Sequence, residues 1–294
     1  MKVVKLVKAV TRGLFATLLA ACGASGGERA GAESAPPAPA TAEAKHPATG
    51  PLSEDAFKAL HQLDPAPRPP PKGEAVEVGG ARAYLSLPPG ASAPLPAVLV
   101  LHEWWGLNDN IKHWSDRLAA AGYAALALDL YGGVVATDPD TALRTMKAVD
   151  EAKAKAIVEA GHRFLAGDAR VRAPKTGSIG WCFGGGWSLR AALALPELDA
   201  SVVYYGFVPT EADQLRPIKA KVLAIFGTRD ESIPPAKVDA FEAGLKQAGV
   251  SARVLRYDAD HAFANPSSKA YDQGDAAAAW QEVQAFFTAN LKGG

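Results

Sequence analysis

Cys182 stands in Gly180-Trp181-Cys182-Phe183-Gly184-Gly185-Gly186, between an apolar run at 176–179 and a segment at 187–195 with helical character. A strand, a Gly-x-nucleophile-x-Gly turn and a helix form a nucleophile elbow, here with cysteine where serine is usual. Such a turn strains the backbone of its central residue, and the flanking glycines let strand and helix approach closely. The sulfur would sit at a helix N-terminus, where the dipole and free N–H groups favour a thiolate and a developing oxyanion. A glycine-rich turn around a buried structural cysteine has the same local sequence, so the weight of the reading falls on the partners.

A cysteine nucleophile needs a base and an acid that orients the base. Asp230 lies in Gly227-Thr228-Arg229-Asp230, directly after an apolar run, and His261 lies in Asp260-His261-Ala262-Phe263, just past another. The order Cys182, Asp230, His261 is the nucleophile–acid–histidine order of the α/β-hydrolase arrangement. Asp258 and Asp260 are alternative acids, but they share the loop of His261 and reach its ring poorly. An earlier apolar run ends in Leu101-His102-Glu103-Trp104-Trp105-Gly106. The backbone N–H groups of Trp104 and Phe183 are the expected oxyanion donors. Glu103 would reach the same mouth, where burial raises its pKa and lets it exchange a proton with sulfur. His102 and His113 read as structural, and His46 and His61 as incidental.

These residues must be delivered by strand ends. The segments 75–78 and 81–87, joined by Gly79-Gly80, read as a β-hairpin. Buried strands follow at 96–101 and 123–128, and further strands at 200–205, 221–226 and 252–257. Helices are expected at 109–121, over most of 137–165, at 235–247 and at 275–291. Strands alternating with helices give an α/β fold, a mostly parallel central sheet with helices on both faces. Sites in such sheets gather beyond the carboxyl ends of the strands.

The 294 residues are 48% apolar with zero formal net charge, which gives no electrostatic case for a nucleic-acid partner. Lys2, Lys5, Lys8 and Arg12 precede a short apolar stretch that ends in Leu19-Ala20-Ala21-Cys22-Gly23. The stretch is too short to span a bilayer, and it resembles a bacterial lipoprotein signal with Cys22 as the lipidated residue. Residues 1–21 are then the signal peptide and 22–72 an Ala/Pro-rich tether with a possible short helix at 52–63. Residues 73–294 form the folded domain. The expected location is the periplasmic side of a membrane, with the outer membrane favoured because Gly23 gives no retention signal. Cys22 and Cys182 are the two cysteines, and their separate roles leave no disulfide.

The segments His102-Glu103-Trp104-Trp105-Gly106-Leu107-Asn108, Asp129-Leu130-Tyr131-Gly132-Gly133, the Cys182 elbow, Tyr204-Tyr205-Gly206, Gly227-Thr228-Arg229-Asp230 and His261-Ala262-Phe263 together carry a family resemblance. The sequence resembles the dienelactone hydrolase (carboxymethylenebutenolidase-like) family of α/β-hydrolases from about residue 73 to its end. The resemblance implies a Cys182–His261–Asp230 triad, with Glu103 helping to deprotonate the thiol when substrate binds. It implies no metal and no cofactor. Trp105, Tyr131, Tyr205, Phe263 and Asn265 are the expected substrate-contacting residues. The family's best-known members bind a substrate carboxylate with two arginines, and here Gly133 and Asn265 stand at those places. Loss of that clamp favours a neutral ester or lactone over dienelactone itself. The expected protein is a monomeric, lipid-anchored hydrolase working through an acyl-thioenzyme. The alternative is a surface lipoprotein of the same fold that binds a ligand or partner without turnover.

Overall fold

In the computed structural model residues 69–293 are described, and eight strands among them form one sheet. The leader, the tether and the expected helix at 52–63 lie outside the described residues. The hairpin is present: β1 (Glu74–Val78) pairs antiparallel with β2 (Ala81–Ser86). Its turn, Gly79-Gly80, has positive φ at both positions, which glycine adopts without steric cost.

β2 pairs antiparallel with β4 (Ala124–Leu128), which lies parallel to β3 (Ala97–Leu101). Beyond β3 the sheet continues in parallel through β5 (Thr176–Trp181), β6 (Ala200–Tyr204), β7 (Lys221–Gly227) and β8 (Ala252–Tyr257). The spatial order is β1-β2-β4-β3-β5-β6-β7-β8. β3, β4 and β5 are buried along their whole length, which explains why β3 and β4 are uninterrupted apolar runs.

The connecting helices are α1 (Asp109–Ala120), α2 (Pro139–Lys147), α3 (Glu151–Gly167), α4 (Phe183–Ala194), α5 (Ala212–Leu215), α6 (Pro235–Ala248) and α7 (Gln273–Phe287). The chain steps one way from β3 to β4 and the other way from β5 to β6. Right-handed crossovers therefore put α1 and α4 on opposite faces. On one face Trp114 of α1 stacks on Trp181 of β5 (4.5 Å) and meets Trp280 of α7 at a tilt (5.3 Å). On the other, α3 meets α4, where Arg190 pairs with Glu151.

Two expectations need correction. The helical stretch at 137–165 is two helices, because Asp150 turns its carboxylate onto the Lys153 N–H and starts α3 as an N-cap. Asp138 caps α2 in the same way through the Thr141 N–H. The closing helix ends at Phe287 and continues as a π-turn over Thr288–Lys292. The four-residue α5 has too little periodicity to be read from sequence.

Candidate active site

The order of strands reverses at β3, whose chain neighbour β4 lies on one side while β5 lies on the other. This is the switch point where open α/β sheets form a crevice. Register fixes what meets there. Leu101 of β3 pairs with Gly180 of β5, so Glu103 and Cys182 each lie two residues beyond paired positions. Tyr204 pairs with Trp181 on one side and Ile225 on the other, and Gly227 pairs with Tyr257. Asp230 and His261 follow β7 and β8 within four residues.

Cys182 has φ 54° and ψ −117°, a conformation that side-chain-bearing residues rarely hold. The surrounding contacts keep it there. Its N–H donates to the Tyr204 carbonyl (3.0 Å), and its own carbonyl accepts from the Gly186 N–H (3.2 Å). Gly180 and Gly184 permit the crossing of strand and helix. A Cβ on Gly180 would lie 2.1 Å from the Gly184 carbonyl oxygen, and one on Gly184 would lie 2.1 Å from that of Leu101. Behind the elbow, the hydroxyls of Ser178, Ser188 and Ser201 join β5, α4 and β6 in a buried chain (2.8 and 3.1 Å).

Asp230 is buried, and its Oδ2 accepts from His261 Nδ1 at 2.6 Å. Its Oδ1 accepts from the N–H groups of Ser232 (2.8 Å) and Ile233 (3.0 Å). Burial raises the Asp230 pKa, but the His261 hydrogen bond and charge, with the two N–H groups, bring it below the ordinary carboxylate value. For His261, burial lowers the pKa. Hydrogen bonds to Asp230 and Cys182, with the Asp230 charge, outweigh burial and raise it above the ordinary imidazole value. Asp258 and Asp260 are held by Arg229 instead (2.7 and 3.5 Å), which removes them as partners of the imidazole.

Glu103 is 8% exposed, and its Oε2 accepts from Asn265 Nδ2 at 2.6 Å. Burial pushes its pKa up to about 7, against the His261 charge and the Asn265 hydrogen bond, which lower it. The loop that carries it is locked by His102. His102 Nε2 accepts from the Leu130 N–H (3.1 Å), so the proton sits on Nδ1, which donates to the Glu103 carbonyl (2.6 Å). Burial lowers the His102 pKa and keeps it neutral. His113 lies against the Pro69 carbonyl (3.2 Å), away from the site.

A cavity of about 570 Å³ opens over these groups, with Cys182, His261 and Glu103 in its lining. Trp104 and Trp105 form one wall, edge to face at 4.9 Å. Phe183 is the first residue of α4, where N–H groups have no intrahelical acceptor, and Trp104 follows the end of β3.

Three expected substrate contacts do not line this cavity. Tyr205 and Phe263 are fully buried beneath it, with the Tyr205 ring 5.1 Å from that of His261 and 5.7 Å from that of Phe263. Left-handed backbone at Tyr205 (φ 35°) and at Ala262 (φ 63°) turns the chain where these aromatics pack inward. Tyr131 packs between His102 (4.5 Å) and Phe183 (5.2 Å) and borders a separate groove. Asn265 lines the cavity as expected, but its amide is engaged by Glu103. At the other expected arginine place, the guanidinium of Arg82 fills the space beside Gly133, 3.1 Å from where a Cβ would stand. Both residues border grooves outside the cavity that Cys182 lines.

Met146, Phe207, Ser232, Ser267, Ser268 and Lys269 also line the cavity, and none was singled out from sequence. Phe207 carried one usable signal, since it directly follows Tyr204-Tyr205-Gly206. Met146 had none, because its helix was read as one with α3.

Residues 81–291 match the Dienelactone hydrolase family. "Protein usf" of Aquifex pyrophilus is 35% identical over 216 residues, covering 70% of this chain and 92% of that protein. A protein of Aquifex aeolicus, provisionally named a carboxymethylenebutenolidase, is 33% identical over 222 residues, covering 72% and 94%. Among solved structures, a dienelactone hydrolase-like promiscuous phosphotriesterase from metagenomic libraries superposes with a TM-score of 0.69 at 28% identity. The match covers 75% of this chain and 98% of that one.

Proposed function

The chain belongs to the dienelactone hydrolase family of ester and lactone hydrolases, and from that premise we propose that it cleaves small neutral esters or lactones through a Cys182 acyl-thioenzyme. The observation that carries the reading is the convergence of the strained Cys182 with the buried Asp230–His261 pair (2.6 Å) beyond the ends of β5, β7 and β8.

Substrate enters with His261 protonated beside Asp230, and Glu103 takes the thiol proton as the carbonyl approaches. The Cys182 thiolate attacks the carbonyl carbon, and the Trp104 and Phe183 N–H groups hold the oxyanion. Collapse breaks the C–O ester bond, and His261 protonates the departing alkoxide. Neutral His261 then takes a proton from water as that water adds to the thioester carbon. The C–S bond breaks, the acid leaves, and Glu103 returns its proton to sulfur.

Neutral substrates are favoured because Gly133 and Asn265 supply no guanidinium to the cavity. Lys269, the lysine among the described lining residues, is exposed and screened by solvent, and His261 is already paired with Asp230. The N-terminal pattern extends the proposal: residues 1–21 are removed, Cys22 is acylated, and the enzyme works from a membrane surface outside the cytoplasm.

A panel of p-nitrophenyl esters and lactones on wild type and Cys182→Ala tests the reading. Loss of at least about 1,000-fold in kcat/KM in the variant is expected, and equal turnover by both proteins overturns it.

A further inference from the structure

The cavity over Cys182 has room for more than a small ester. Its volume of about 570 Å³ lies within the roughly 300–1,000 Å³ range of pockets that hold drug-sized ligands. Four of its lining side chains, Trp104, Trp105, Met146 and Phe207, are large and apolar. Phe207 is 54% exposed, the most of any large hydrophobic residue among the described residues. Lys237 Nζ sits 5.0 Å from its ring centroid, and its backbone packs on Gly186 of the elbow helix. Met146 comes from α2, on the far side of the α2–α3 break. Leu143 lies one turn earlier on the same helix, three residues from Met146, and is 38% exposed. Residues three apart on a helix are neighbours, so the apolar surface continues from Met146 to Leu143 and out to solvent. Large apolar side chains lining a cavity beside a nucleophile are placed to cover an apolar part of the substrate.

We infer that the substrate's ester carries a medium-length alkyl chain, and that this apolar group lies against Phe207 and Met146 and runs toward Leu143. The inference rests on the ester-hydrolase reading above and narrows its substrate class. Phe207 and Met146 are then specificity residues, with no part in bond making. Fully burying a methylene multiplies binding by about fourfold, and a half-open trough should give about twofold per methylene in kcat/KM.

The test uses the full chain and two ester series. p-Nitrophenyl esters from acetate to octanoate vary the acyl side, and acetate esters from ethyl to octyl vary the alcohol side. In wild type, kcat/KM should climb by about tenfold or more across at least one series. In Phe207→Ala that longest-to-shortest ratio should fall by at least about fivefold, and in Met146→Ala it should fall as well. Val135→Ala, an exposed apolar residue outside the cavity lining, should keep the wild-type ratio. Flat or falling rates in both series, or an unchanged ratio in Phe207→Ala, overturn the inference. If short esters are hydrolysed with dependence on Cys182 but without chain-length preference, only this inference fails. If no ester is hydrolysed, the catalytic reading fails with it.

Discussion

Glu103 is the residue whose chemistry depends most on where it is buried. Its carboxyl is out of solvent, and its partner Asn265 is a neutral donor, so the proton leaves only near pH 7. In the proposed cycle the carboxylate form accepts the thiol proton. Activity should therefore rise as pH passes upward through about 7, with log kcat/KM gaining one decade per pH unit below that point. Glu103→Gln should lose this limb and fall by about 100-fold at pH 8. Asn265→Ala removes a hydrogen bond that favours the charged form, so its limb should move to higher pH. A pH–rate profile of the three proteins checks this, and an unchanged limb in Glu103→Gln would assign the titration elsewhere. At the same scale, Asp230 and His261 were legible because each closely follows a strand. Tyr205 and Phe263 misled because an aromatic after a strand can serve the floor of a site as readily as its wall. Sequence does not record which way it turns.

The elbow works as an element because β5, α4 and the end of β3 touch backbone to backbone. Gly184 is the point of contact, with the Leu101 and His102 carbonyls 2.1 and 2.6 Å from where a Cβ would stand. Backbone cannot rotate away as a side chain can, so Gly184→Ala must push α4 off β3. The expected cost is about 3 kcal/mol of stability, read as a lower midpoint in urea unfolding. The same displacement separates the Phe183 and Trp104 N–H groups, so esterase activity should fall further than the folded fraction does. A variant with wild-type stability would show that the crossing has slack. The α2–α3 break is the element that periodicity missed. Both halves keep helical spacing, and the interruption is one capping aspartate, Asp150, whose carboxylate competes for the helix backbone.

At the scale of the molecule, the cavity holding Cys182 lies beyond the carboxyl ends of the strands β3 to β8, and the proposed lipid on Cys22 would set where the enzyme works. Growth of a bacterial expression host with an alkyne-tagged palmitate should label the wild-type chain, and Cys22→Ser should abolish the label. Labelling that survives in Cys22→Ser would refute the anchor. The sequence by itself determined the α/β class, the positions of most strands and the chain order Cys182, Asp230, His261 at strand ends. Those follow from local causes: apolar runs long enough for buried strands, glycines at a tight turn, and polar residues at strand ends. Tertiary structure alone decided strand order, and with it the pairing of Leu101 with Gly180 that brings Glu103 beside Cys182. It also decided that Asn265 holds Glu103, that Tyr131, Tyr205 and Phe263 pack away from the cavity, and that Met146 and Phe207 face it. The physical reason is common to all of these. Register, side-chain direction and the meeting of distant loops depend on contacts between segments far apart in the chain, and no local pattern encodes them.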